Sequence, residues 1–172
     1  MRALQTLLFS LSLSLVSGPA WSLEFAGQRL QAVDRAEACY LVFIRLYQAT
    51  LYSDEQGQTR CVDLEYRRPF SREELSRATL EFYADLYGPE AGSQDADELQ
   101  RLVDAYQGVD SGDRYSFCLS PEYGAELARD GNPVMKTERT DFGQRLLGLW
   151  VEDFDPQGRA RWSFNTCQRA GL

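Results

Sequence analysis

The sequence predicts an α+β domain, a mostly antiparallel sheet with helices packed on one face. Hairpin signals separate the extended stretches, helical periodicity is confined to three segments, and the elements run strand, strand, strand, helix, helix, strand, strand, strand, helix. A chain of 172 residues is one domain by length.

Taken in order, Leu23 to Val33 reads as one strand or two short extended pieces around a turn at Ala26-Gly27. Tyr40 to Tyr52 is a long apolar run rich in aromatic and branched residues, read as a central strand buried on both faces. Ser53 to Thr59 turns the chain into a return strand, Cys61 to Arg67, which alternates Val62, Leu64 and Tyr66 with Asp63, Glu65 and Arg67. Ser71 and Glu74 form a capping box ahead of Leu75, Ala78, Thr79, Phe82 and Leu86, with Gly88-Pro89 as the stop. Gly88 to Asp97 reads as a loop, and Asp95 as the cap of a second helix facing inward through Leu99, Leu102, Val103 and Tyr106. Asp113 to Leu119 alternates as a strand. Asp130-Gly131 joins Ala125–Arg129 to Pro133–Lys136 as a tight hairpin. Thr140 is read as the cap of a third helix carrying Phe142, Leu146, Leu149 and Trp150, while Arg159 to Leu172 has no clear pattern.

Residues 1–22 read as a secretory signal: Arg2, an apolar stretch from Leu4 to Val16, then Ala20-Trp21-Ser22 as a cleavage site. The apolar stretch is shorter than the ~20 residues of a spanning helix. Residues 23–172 are then the single mature domain, without an integral membrane segment, in the periplasm or secreted. Its acidity (the whole chain carries −8) disfavours nucleic acid as a partner. Four cysteines in an exported chain, Cys39, Cys61, Cys118 and Cys167, predict two disulfides, with Cys39–Cys61 the least favoured pairing because the two stand at opposite ends of the expected hairpin. The absence of histidine removes Ser-His-Asp and Cys-His chemistry. No cofactor is expected. Asp153-x-Asp155-x-Gln157-Gly158 imitates the start of a calcium loop, but Phe164 stands where the bidentate Glu belongs, so it reads as an acidic turn and no metal site is assigned.

Four stretches resemble the chalcone isomerase-like family in order and spacing. They are Ile44 through Tyr52, Pro69-Phe70-Ser71 with Glu74-Leu75, Gly112-Asp113-Arg114-Tyr115, and Asp141-Phe142-Gly143 through Leu149-Trp150. The resemblance implies an open-faced antiparallel sandwich with a cleft between sheet and helices. It also implies one of two roles: closure of a flavonoid ring by intramolecular Michael addition, or binding of fatty acids and similar apolar acids. Tyr47 stands where the plant isomerases carry a catalytic threonine, and Arg35 lies where the family places a ligand-binding arginine.

Alternation places Arg45 and Tyr47 on one face of an apolar strand. A buried guanidinium needs an anion, its planar fork suits a carboxylate, and a neighbouring phenol adds a hydrogen bond. Arg45, Tyr47 and Arg35 are therefore the candidate ligand-binding residues, for a small apolar or amphipathic ligand such as a fatty acid. No catalytic residue is assigned. The alternatives are an isomerase, or an interaction protein whose cleft is filled by its own side chains.

Overall fold

The structure is a computed structural model that describes residues 22–41, 43–154 and 159–167. The signal-like stretch before Ser22 and most of the calcium-like turn (Asp155, Gln157, Gly158) lie outside them.

Seven strands form one antiparallel sheet in which sequence order is spatial order: β1 (Ser22–Phe25), β2 (Gln28–Tyr40), β3 (Ile44–Ser53), β4 (Arg60–Tyr66), β5 (Arg114–Ser120), β6 (Gly124–Arg129) and β7 (Asn132–Thr137). Between β4 and β5 the chain leaves the sheet to form α1 (Arg72–Gln94) and α2 (Ala96–Ala105). After β7 come α3 (Thr140–Gly148) and a separate two-stranded sheet, β8 (Val151–Phe154) with β9 (Ala160–Trp162), which gives the tail a structure its sequence does not announce.

Period-two alternation sorts the two faces of the sheet. Ala49 pairs with Leu64, Leu64 with Tyr115, Phe117 with Leu127 and Leu127 with Met135, and all of them join one core with Tyr83, Leu102, Phe142 and Leu146 of the helices. All three helices thus cover the same face. The other face carries Gln48, Glu65, Arg67 and Arg114 in contact with one another, and a small second core of Leu30, Tyr52, Cys61 and Cys118. The disulfides are Cys39–Cys167 and Cys61–Cys118.

Four expectations are corrected. The run from Tyr40 to Tyr52 is two strands: it turns at Leu41, whose φ of 50° is left-handed, with no Gly, Asn or Asp to mark the turn. β2 accordingly runs on to Tyr40. Gly88-Pro89 kinks α1 rather than ending it. Gly88 takes φ 75°, and Pro89, which needs no N–H partner in a first turn, starts the helix again through the stretch read as a loop. Asp95 and Thr140 do not cap through their side chains. Asp95 precedes α2 but turns its carboxylate to arginines, and Thr140 is already inside α3 behind Arg139. The Ser71–Glu74 capping box is present with both of its hydrogen bonds.

Candidate functional site

The inner ends of β3 and β4 extend past the helical core, and a cleft of about 730 Å³ opens there between the sheet and the first half of α1. Its floor is Tyr47, Leu64 and Tyr66 from the sheet. Its roof is Leu75, Ala78, Thr79 and Phe82 of α1, whose helical spacing turns them to one side. Leu149 and Trp150 close the end next to α3, and Ser163, Phe164 and Asn165 form the remaining wall.

Aromatic edges define the interior. Tyr47 and Tyr66 face each other across β3 and β4 with ring centroids 5.9 Å apart, Phe164 lies 5.4 Å from Tyr47, and Phe70 lies 5.7 Å from Tyr66. The Tyr106 hydroxyl is satisfied by Thr79 at 3.0 Å. The hydroxyls of Tyr47 and Tyr66 have no hydrogen-bond partner among the described residues, although neither is a sealed-off orphan atom. Burial pushes the Tyr47 phenol up. It does the same to Tyr66, with the neighbouring phenols of Tyr106, Tyr47 and Tyr115 adding to the effect, and raises Tyr106 to about 12. At neutral pH the floor therefore offers uncharged hydroxyls that donate to an acceptor oxygen.

Charge is confined to the mouth. Arg68 sits 5.3 Å over the Phe70 ring, and Arg77, Glu74 and Glu81 line the same opening. Neither Arg68 nor Arg77 is within ion-pair distance of a described carboxylate, whereas Glu74 is occupied by the Ser71 backbone at 2.8 Å. Among the described residues no group of three or more His, Cys, Asp or Glu is placed to hold a metal ion.

Of the three residues singled out in the sequence, only Tyr47 lines the cleft. Arg45 is on the other face, 67% exposed, with Nε 3.4 Å from the Glu37 carboxylate. A β-bulge separates the two. Tyr47 pairs with Ala38 and Arg45 with Cys39, so Leu46 is an extra residue that breaks the alternation on which their shared face depended. Arg35 sits beside Thr50, Nε to Oγ1 3.3 Å, at a shallow hollow formed with Ala32, Val33 and Asp34. Sequence reasoning missed Tyr66, Phe70, Arg68, Phe164 and Asn165. Tyr66 was accessible to it, as the last inward position of β4. Phe164 and Asn165 were not, because only the tertiary fold brings the tail to β2.

No family model and no curated protein matches the sequence. Among solved structures, a fatty-acid binding protein of Arabidopsis thaliana (AtFAP1) superposes with a TM-score of 0.54 at 10% identity, over 77% of this chain and 89% of that one. The fold is chalcone isomerase-like. At such identity the likeness speaks for the architecture, and the chalcone isomerase-like sheet with its helices on one face is what forms the cleft. No described helix is long and apolar enough to cross a membrane.

Proposed function

We propose that this protein binds a small apolar ligand with an acid group, of the fatty-acid type, in the cleft between sheet and α1, and that it acts outside the cytoplasm. The observation that carries the reading is a roomy, aromatic-lined cleft whose floor holds two hydroxyls that the described protein leaves unpartnered. Such a pocket, apolar with a few placed polar groups, is the usual form of a small-molecule site. The fatty-acid binding role of the structural neighbour supports the ligand class, and the two disulfides with the apolar N-terminal stretch support export.

The geometry moves the acid anchor. A carboxylate needs a cation or several donors. Arg45 and Arg35 lie off the cleft, so Tyr47 and Tyr66 supply the donors and Arg68, with Arg77, the charge at the mouth. The apolar body then lies along Leu75, Ala78, Phe82 and Trp150.

Titration with a fluorescent fatty acid tests this. Micromolar or tighter binding is expected. The methyl ester should bind more weakly than the acid, and Arg68→Ala should lower affinity for the acid but not for the ester. Equal binding of acid and ester would remove the charged anchor, and no binding of either would remove the ligand class. The isomerase alternative rests on the same pair of phenols acting as donors to an enolate. Turnover of a chalcone above its spontaneous rate, lost in Tyr47→Phe, would favour it over binding alone.

A further inference from the structure

The wall of the cleft opposite α3 is held in an unusual way. β1 covers the free edge of β2 only from Gln28 to Gln31. Farther along, at Glu37 to Cys39, that edge is taken by the chain's own tail. The Cys39 N–H donates to the Asn165 carbonyl at 3.0 Å, and the Cys167 N–H donates to the Glu37 carbonyl at 2.9 Å. Ala38 and Thr166 form a single antiparallel bridge between them.

Beyond Ser163, these two backbone hydrogen bonds, the packing of Phe164 on Tyr47 and Trp162, and the Cys39–Cys167 disulfide hold the described tail. The same segment places Phe164 and Asn165 in the cleft wall, and Cys39 itself lines the cleft. Two lone ladder bonds at a sheet edge are weak and fray readily. The other disulfide is placed differently. Cys61 and Cys118 are direct partners on β4 and β5, already joined by a full ladder, and they face the small second core away from the cleft.

We propose that the Cys39–Cys167 disulfide is a redox-sensitive latch on the ligand cleft, which holds the Ser163–Cys167 wall closed over the ligand and lets it go when the bond is reduced. The proposal rests on the ligand-binding reading and adds its regulation. The step is thiol–disulfide exchange with an external dithiol. One thiolate attacks a sulfur of the bond, with that of Cys167 on the more exposed of the two residues, and displaces the Cys39 thiolate. The second thiolate of the reagent then closes on the mixed disulfide. Two electrons and two protons pass to the protein, which gains two thiols, and the reagent leaves as a disulfide.

The experiment compares the full mature protein, a Cys39→Ser/Cys167→Ser variant and a Cys61→Ala/Cys118→Ala variant, the last with and without dithiothreitol. Affinity for a fluorescent fatty acid and amide hydrogen exchange are both read. Opening the Cys39–Cys167 bond, by substitution or reduction, should weaken binding at least tenfold and speed exchange at the Cys39 amide and in Ser163–Cys167. The amides of β5 and β6 should stay protected. Loss of Cys61–Cys118 alone should leave affinity within twofold. If that variant does not fold, partly reduced wild type with its thiols mapped by mass spectrometry takes its place. Unchanged affinity with the bond open would overturn the proposal. So would exchange that rises equally across the whole sheet, because the bond would then be a general staple. If the oxidised protein binds no fatty acid, the ligand reading fails, and the local exchange still decides whether this bond holds the wall.

Discussion

Asp95 is wholly buried, yet it is the most heavily partnered acid in the molecule. Arg145 grips it through two bonds of 2.7 and 3.0 Å, Arg139 approaches at 2.7 Å, and the Tyr83 hydroxyl donates to it, while Asp141 ties the two arginines together from outside. Burial works to raise the Asp95 pKa, but the bonds from Arg145, Tyr83 and Arg139 outweigh it and hold the carboxyl below the usual range. Arg139 above all does the same for Asp141. Breaking a buried pair from one side costs about 3–5 kcal/mol. Both arginines still reach water and Asp141, so Asp95→Asn should lose about 3 kcal/mol, read as the shift of a urea midpoint. Both acids have folded pKa values below their unfolded ones, so the unfolded chain binds more protons between the two values. Stability is therefore fully present above pH ~4 and falls as pH drops toward the lowered values. Acid titration of the melting temperature should show that slope, and Asp95→Asn should flatten it. In the cleft, Tyr66→Phe and Tyr47→Phe should each weaken fatty-acid binding about fivefold, the worth of roughly 1 kcal/mol for one hydrogen bond. Arg45→Ala, which breaks an exposed pair, should change neither binding nor stability by more than about 0.5 kcal/mol.

At the scale of elements, two glycines set how the layers meet. A Cβ at Gly143 of α3 would stand 2.8 Å from both the Ala125 Cβ and the Leu119 Cδ1, so this helix lies on β5 and β6 as closely as backbone permits. At Gly124 a Cβ would run into the Thr137 carbonyl, and its φ of 77° suits glycine alone. Gly143→Ala should cost about 1–3 kcal/mol through overpacking, and Gly124→Ala more than that, in thermal melts. Strand alternation in β4, β5 and β6, the capping box of α1 and the left-handed Asp130-Gly131 turn were all legible, because each rests on a few neighbouring residues. The turn at Leu41 to Phe43 was not, since apolar turn residues give no local signal. The bulge at Leu46 was not either, because an extra residue in one strand shows only against its partner. That one residue moved the expected arginine from the cleft to the opposite face.

Across the whole molecule the two disulfides are nested, with separations of 128 and 57 residues. Loop-closure entropy gives each about 4–5 kcal/mol, so thermodynamics barely separates them and their positions decide their different roles. A ligand that fills the cleft binds only the folded chain. At a hundredfold excess over its dissociation constant it should add about 2.7 kcal/mol, a rise in melting temperature of roughly 5–10 °C for a domain of this size. Differential scanning fluorimetry with saturating oleate reads this directly. The family resemblance in four short stretches carried the architecture correctly, because order and spacing of elements are properties of the chain. It did not carry the anchor.

Residue order alone determined an α+β domain with an antiparallel sheet, helices on one face, two disulfides and no histidine chemistry. Each of these follows from local propensity, alternation or composition. The tertiary structure decided which cation faces the cleft, which tyrosines share its floor and how the tail becomes its wall. These depend on register and on contacts between segments more than a hundred residues apart, such as Cys39 with Cys167.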